Sequence, residues 1–295
     1  VSSASSIAVL RLASRGSLLA TAQARLAAAA IESVTGAVTG IVVVRTGGDR
    51  NQATPVESMQ GQGWFTAEIE RAVLDGEADV AVHSAKDLPT TLAAGLDVVA
   101  LLPRADPSDA LVTRDGAGLD SLADGATVGT SSERRSQLLA ATRPGLRCVP
   151  IRGNVDTRLR KLAEGEVDAL IVAAAGLDRL GLGERIAERL DPRQFVPAPA
   201  QGAIALEARI GSEAAALVAP VGDGVTALAV GCERAVLVGL GGGCLLPLGV
   251  WARLEDGALV VSAALAGAQG LARVELGGDP ADPGGLAEQV VRALR

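Results

Sequence analysis

Seven arginines and one lysine, Arg134, Arg135, Arg143, Arg147, Arg152, Arg158, Arg160 and Lys161, lie in one stretch opposed only by Asp156. The chain as a whole is acidic, with Lys+Arg 27 against Asp+Glu 34 and a formal net charge of -7. A local reversal of sign on that background points to a discrete anion, and several carboxylates on one small molecule fit best. Nucleic-acid and membrane binders spread basic residues over a face and interleave aromatics, whereas aromatics make up 1% of this chain.

Two segments within the stretch share one design. Gly129-Thr130-Ser131-Ser132-Glu133-Arg134-Arg135 runs from a predicted strand into a helix, so free backbone N–H groups, hydroxyls and two guanidinium groups can converge on one anion. The plain alternative is a capping box, Thr130 with Glu133 at the third helical position, beside two solvated arginines. Ile151-Arg152-Gly153-Asn154-Val155-Asp156-Thr157-Arg158 repeats the plan, with a strand end, a glycine turn and a helix start. Ligands of open parallel sheets bind at strand C-termini, so two such clusters suggest a shared anion site. Arg160 and Lys161 read as a solvated helix face.

Ser84-Ala85-Lys86-Asp87-Leu88-Pro89 also follows a predicted strand. A lysine beside an aspartate offers a cation for carboxylates and an anion for proton transfer or cation stabilisation; a surface ion pair in an Asp-x-Pro turn would look the same. His83 is the sole histidine, which excludes multi-histidine metal sites, and it reads as a satisfied, partly buried residue. Cys148, Cys232 and Cys244 have no paired spacing, so neither a disulfide framework nor a metal site is indicated, and a reducing compartment follows. Gly239-Leu240-Gly241-Gly242-Gly243-Cys244 lacks the ending of a phosphate loop; its distinctive feature is a cysteine on a glycine tether, a nucleophile or attachment point if not a half-buried thiol.

The elements that would position these groups follow from periodicity. Strands are predicted at Val9–Ala13, Ile41–Val44, Asp79–Val82 and Leu96–Leu101, with helices at Leu18–Ser33 and Thr66–Leu74. A second set has strands at Ala110–Thr113, Thr127–Gly129, Leu146–Ile151 and Ala169–Ala173, with helices at Ser132–Ala141 and Val155–Glu164. The alternation argues for α/β units with parallel sheets. Proline-rich breaks near Pro103–Pro107 and Val196–Ala200 suggest that the chain crosses out and back, forming a hinge. Beyond Gly222, a helix (Val225–Leu237), a glycine-rich loop, two strands (Leu246–Arg253 and Ala258–Leu265) and a final helix read as a small α+β domain. The division expected is 1–102 with 201–219, then 103–200, then 220–295. No run is long and apolar enough for a membrane span, and no secretory signal is evident at the start.

In this order the segments resemble the porphobilinogen deaminase (hydroxymethylbilane synthase) family over nearly the whole chain. The resemblance rests on Leu12 to Ala20, Thr46-Gly47-Gly48-Asp49, Val82 to Pro89, Gly129 to Arg135, Ile151 to Leu159, Ala174-Ala175-Gly176-Leu177 with Arg179, Pro199-Ala200-Gln201-Gly202 and Gly242-Gly243-Cys244. It implies two α/β domains like periplasmic binding proteins, with the active site in the cleft between them, plus a smaller α+β C-terminal domain. It further implies a transferase of haem and chlorophyll synthesis. Four porphobilinogen units would be condensed stepwise onto a covalently held dipyrromethane, with loss of ammonia, and hydrolysis would then release hydroxymethylbilane.

The resemblance makes Cys244 the cofactor attachment point and Asp87 the catalytic carboxylate, which stabilises the azafulvene cation left when ammonia departs. Asp49, Ser84, Lys86, Thr130, Ser132, Arg134, Arg135, Gly153 and Arg158 would hold the cofactor. Arg15, Ser17, Gln23, Phe65, Arg152, Asn154, Arg179 and Gln201 would face substrate or the growing chain. A monomer is expected, in the cytoplasm or, after removal of a transit peptide, the plastid stroma, with no nucleic-acid, membrane or metal partner. Ser58, Gln62 and Ala67 occupy positions that often carry lysine, and Ser108 one that often carries arginine. A two-lobed anion-binding module or an inactive paralogue would share the arginines but would need neither Asp87 nor Cys244.

Overall fold

The protein is described by a computed structural model over residues 7–44, 66–243, 246–267 and 270–295. The chain begins with β1 (Leu10–Arg15), α1 (Leu18–Thr35), β2 (Thr39–Val44), α2 (Ala67–Leu74), β3 (Val80–Ser84) and β4 (Leu96–Leu101). It continues with β5 (Asp109–Thr113), β6 (Thr127–Gly129), α3 (Glu133–Thr142), β7 (Arg147–Val149), α4 (Val155–Ala163), β8 (Ala169–Ala173), α5 (Ala174–Arg179) and β9 (Glu188–Arg189). It ends with β10 (Ile204–Arg209), α6 (Glu213–Val218), α7 (Gly224–Gly239), β11 (Leu248–Glu255), β12 (Ala258–Gly267), β13 (Gly270–Gly278) and α8 (Pro283–Leu294).

These elements form two compact units, Val1–Arg104 with Ala203–Ala227, and Ala105–Gly202 with Leu228–Arg295. The first holds a sheet in the order β2-β1-β3-β10-β4, the second a sheet in the order β7-β6-β8-β5-β9 together with the antiparallel meander β11-β12-β13. The expectation of parallel sheets is corrected: both five-stranded sheets are mixed. In each, three neighbouring strands are parallel and one internal strand, β10 or β5, is antiparallel to both neighbours. Each odd strand is the first its unit receives after the chain crosses at 202/203 or 104/105. It therefore enters without the crossover helix that keeps consecutive strands parallel. The C-terminal sheet also has a third strand, β13, that the hydrophobic pattern did not announce, because alternate residues of Gly-Leu-Ala-Arg-Val-Glu-Leu-Gly-Gly are only half-buried.

Local chemistry explains the elements that matter most. Alanine-rich α1 starts where the Ser17 hydroxyl accepts from the Ala20 N–H and stops at Gly36, whose φ of 71° supplies the left-handed cap. The second sheet is apolar on both faces: Leu111, Val128 and Ile171 pack with Leu138, Leu139 and Phe195, while Ala110, Val112, Leu170 and Val172 pack with Leu159, Leu162 and Leu177. Trp251, Ala264 and Leu271 of the meander join the first of these cores, so both sheets of this unit share packing. α8 buries Leu286, Ala287, Val290, Val291 and Leu294, one helical stripe, against the meander. Each buried leucine or valine of this stripe contributes about 1.5–3 kcal/mol. Among the described residues no single helix is long and apolar enough to cross a membrane.

Candidate active site

In the first unit β1 and β3 are adjacent and parallel, so their C-terminal ends share one edge. Arg15 ends β1 and Ser17 caps α1, while β3 ends at Ser84 and tightens into a 3-10 turn, Ala85–Asp87. The edge is cross-linked by Gln23 of α1, buried, whose amide nitrogen donates to Ser84 Oγ at 2.9 Å. Lys86 is half-buried and Asp87 exposed. His83, one residue before this turn, is buried with Nε2 3.0 Å from the buried Glu207 carboxylate, as a satisfied core histidine should be. Glu70 belongs to the same interior, and burial, with Glu207's charge adding, pushes its carboxyl up.

In the second unit the C-terminal ends of β6, β7 and β8 line one edge and carry the arginine segments. Ser132, not Thr130, caps α3: its Oγ accepts from the Arg135 N–H, and Thr130 Oγ1 accepts from the Ser132 N–H at 3.2 Å. The Thr130/Glu133 capping box is thus corrected, because Thr130 still lies in the turn off β6, bonded through its own N–H to Val149. Ser131 stitches the two segments together, its Oγ donating to the Ile151 carbonyl at 2.6 Å and accepting from the Ile151 N–H at 3.2 Å. Gly153 turns at a φ of 108°, and a Cβ there would stand 2.6 Å from Thr157 Cγ2. Asn154 is the N-cap of α4 and makes no side-chain capping hydrogen bond. Arg158 Nε donates to the Gly153 carbonyl at 2.8 Å, and Arg179, at the end of α5, donates from Nη2 to the Gly202 carbonyl at 2.6 Å.

The residue that organises this edge is Asp109, which sequence reasoning missed. Because β5 is antiparallel to β8, with Asp109 opposite Ala173, the start of β5 meets the end of β8. The fully buried Asp109 carboxylate accepts from Arg134 Nη1 at 2.8 Å and from Arg135 Nε and Nη2 at 2.9 and 2.7 Å. Arg134 also donates to the Val196 carbonyl and Arg135 to that of Ile171. Gln201, 1% exposed, donates to Asp109 Oδ1 at 3.0 Å and accepts from Arg135 Nη2 at 3.4 Å. The other cations of the stretch have different employment: Arg143 donates to Leu119 and Leu122 carbonyls, Arg160 pairs with Glu164 and Lys161 with Glu166.

The electrostatics leave cation in excess. Burial would push the Asp109 carboxyl up, but the charges and hydrogen bonds of Arg134 and Arg135 hold it well below the usual carboxylate range. One carboxylate thus serves two arginines. Burial, then the charge of Arg135, lowers Arg158 to about 10, and no carboxylate among the described residues pairs with it. Burial lowers Arg179 as well, and the neighbouring Asp178 is taken up by Arg189. Arginine stays protonated under such shifts, so among the described residues the buried arginines Arg134, Arg135, Arg158 and Arg179 outnumber the carboxylates paired with them, which suits a ligand bearing several carboxylates. Among the described residues no group of histidine, cysteine, aspartate and glutamate side chains could hold a metal ion.

Comparison with known proteins decides what this arrangement belongs to. The family described as porphobilinogen deaminase, dipyromethane cofactor binding domain, matches residues 10–216, and its companion, the porphobilinogen deaminase C-terminal domain, matches residues 227–294. The chain belongs to the porphobilinogen deaminase family. Proteins named porphobilinogen deaminase from Syntrophobacter fumaroxidans and Roseiflexus castenholzii are 44% and 43% identical over 92% and 97% of this chain, and 90% and 95% of their own lengths. Among solved structures, the methionine-binding protein MetQ aligns with 72% of this chain and 89% of its own, at 13% identity and a TM-score of 0.47.

Of the site residues expected from the sequence, one edge gathers Arg15, Ser17, Gln23, Ser84, Lys86 and Asp87. The other gathers Thr130, Ser132, Arg134, Arg135, Arg152, Gly153, Asn154, Arg158, Arg179 and Gln201. Within the second set Arg134, Arg135 and Gln201 turn inward onto Asp109, while Arg158 has no acidic partner among the described residues. Asp49, Phe65 and Cys244 lie outside the described residues, as do Ser58 and Gln62. Cys232 is buried, with its thiol donating to the Pro283 carbonyl, and burial raises it to about 11; Cys148 is exposed on β7.

Proposed function

We propose that the chain is a working porphobilinogen deaminase: it condenses four porphobilinogen molecules head to tail on a dipyrromethane held through Cys244, releasing ammonia at each step, then hydrolyses the product to hydroxymethylbilane. The observation that carries this reading is the surplus of buried guanidinium groups at the second unit's strand edge, where two arginines share Asp109 and Arg158 has no carboxylate partner among the described residues. The acetate and propionate arms of pyrroles supply the missing negative charge. When bound, dipyrromethane supplies the nucleophilic pyrrole carbon from which the chain grows.

The chain's own residues then have separate tasks. Thr130, Ser132, Arg134, Arg135, Gly153 and Arg158, with Asp49, Ser84 and Lys86, hold the cofactor, the arginines and the lysine by its carboxylates. Arg15, Ser17, Gln23, Phe65, Arg152, Asn154, Arg179 and Gln201 orient substrate and the lengthening chain. Asp87, exposed at the end of β3, stabilises the cation that porphobilinogen becomes on losing ammonia and assists later loss of the ring proton. The protein is proposed to act as a monomer, in a reducing compartment, with three domains of which the last carries Cys244. The inward-turned Asp109 explains why this edge can keep two arginines adjacent without mutual repulsion driving them apart.

Single-turnover ammonia release from porphobilinogen tests the assignment of Asp87. Asp87→Asn should retain the mass of the loaded wild-type chain and lose turnover by roughly 100-fold or more. Near-normal ammonia release by that variant would remove Asp87 from the chemistry.

A further inference from the structure

Only two non-glycine residues among those described have positive φ: Asp256, in the tight Asp256-Gly257 turn between β11 and β12, and Ala200, at 62°. The first is ordinary hairpin chemistry. Ala200 is different, because alanine gains nothing from the left-handed region and a residue held there has to be kept by its surroundings.

What keeps it is Glu233 of α7. This carboxylate is fully buried; its Oε2 accepts from the Ala200 N–H at 2.6 Å and its Oε1 from the Ala252 N–H of β11 at 2.8 Å. The segment that Glu233 grips, Val196–Gly202, is further tied to the meander by the Val250 N–H, which donates to the Pro197 carbonyl at 2.9 Å. Three acceptors on this segment meet three arginines. The Val196 carbonyl takes Arg134 Nη1 at 2.7 Å, Gln201 Oε1 takes Arg135 Nη2 at 3.4 Å, and the Gly202 carbonyl takes Arg179 Nη2 at 2.6 Å. Gln201 follows Ala200 directly, so the left-handed turn sets where its amide points.

We infer that Glu233 is a positioning residue for the arginine edge: by clamping Ala200 in its left-handed turn it aims Gln201 at Asp109 and Arg135, and seats the carbonyls that hold Arg134 and Arg179. The functional meaning of the clamp rests on the proposed deaminase reading, since those arginines are the ones assigned to cofactor and chain. The clamp also joins the edge to the helix whose sequence continues, after Gly239, towards Cys244.

The test follows the Arg135 Nε–H, which donates to Asp109, in the chain freed of cofactor. Its control is the Arg11 Nε–H, which donates to Asp79 in the other unit. Hydrogen exchange of both is read by arginine side-chain NMR. Glu233→Ala should cost Arg135 about tenfold in protection, the worth of one hydrogen bond, and leave Arg11 unchanged. Ala200→Val, which puts a β-branched residue at positive φ, should give the same loss without touching Glu233. Ala200→Gly, for which the turn is free, should keep protection and restore most of it in the Glu233→Ala background.

Unchanged Arg135 protection in Glu233→Ala, or an equal fall at Arg11, overturns the inference; if Glu233→Ala does not fold, Ala200→Val against Ala200→Gly decides it alone. Loading with porphobilinogen, followed by intact mass, is measured in parallel. If the exchange results hold while the wild-type chain takes up no pyrrole, the deaminase reading fails and the clamp stands. If wild type loads and Ala200→Val loads equally fast despite lost protection, the clamp does not serve the cofactor and the inference fails.

Discussion

Replacing Asp109 by asparagine isolates the electrostatic part of the site, because asparagine keeps the shape and one acceptor oxygen but removes the charge. Asp109 is fully buried, and the side chains of Arg134 and Arg135 are 5% and 8% exposed, so water cannot take over its role. Removing one partner from a buried ion pair costs about 3–5 kcal/mol, mostly the penalty of leaving the other charge uncompensated. At about 2–4 °C per kcal/mol for a unit of 150–250 residues, unfolding of the second unit should drop by roughly 6–20 °C. Trp251 reports it in a Trp64→Phe background, where it is the sole tryptophan. The exposed pair Arg160–Glu164 is the control, and Glu164→Gln should cost less than about 1 kcal/mol. The pH dependence has a definite sign: Asp109's folded pKa is depressed, so its contribution is complete above the unfolded value near ~3.9 and fades as pH falls through the lower folded value. Wild type and Asp109→Asn should therefore differ by a constant amount above about pH 5 and converge in stronger acid. A loss no larger than that of the surface control would refute the claim that Asp109 carries both arginines.

Gly153→Ala should destabilise the second unit by about 1–3 kcal/mol and slow cofactor loading, since the φ of 108° disfavours a side chain and the new Cβ meets Thr157 at 2.6 Å; wild-type loading and stability would show that the turn tolerates change. Glu70→Gln should stabilise the first unit at neutral pH and leave it little changed in acid. Glu70's folded pKa is raised, so its stabilising contribution is present below the unfolded value near 4.5 and lost as pH rises through the folded one. Urea titrations at pH 4 and pH 7 check this, and equal effects at both would contradict it.

Where the candidate residues fall in the fold was largely legible, because strand ends can be read from apolar runs. Ser84–Asp87, Thr130–Arg135 and Arg152–Arg158 each follow a strand whose apolar run is unmistakable in sequence, and the structure puts each at a strand end. Asp109 was not legible. Its carboxylate opens an apolar run, Asp-Ala-Leu-Val-Thr, and only the antiparallel entry of β5 brings that opening to the arginines. Counting charges between Arg134 and Lys161 overlooked it for the same reason, since the partner lies 25 residues before Arg134. Periodicity cannot report strand direction, so it gave parallel sheets where β5 and β10 reverse. Glu233 was hidden differently: a lone acid in the apolar helix α7 carries no signal of its partners, and its burial and its contacts to the Ala200 and Ala252 N–H groups emerge only from the fold.

The most direct test of the central claim is the intact mass of the purified chain beside that of Cys244→Ser. The wild-type chain should carry added mass equal to two linked pyrrole units bearing their acetate and propionate arms, and the variant should weigh no more than its polypeptide. A freshly prepared wild-type chain that turns over porphobilinogen yet shows only the bare polypeptide mass would contradict the reading of this protein as a deaminase primed on a covalent dipyrromethane.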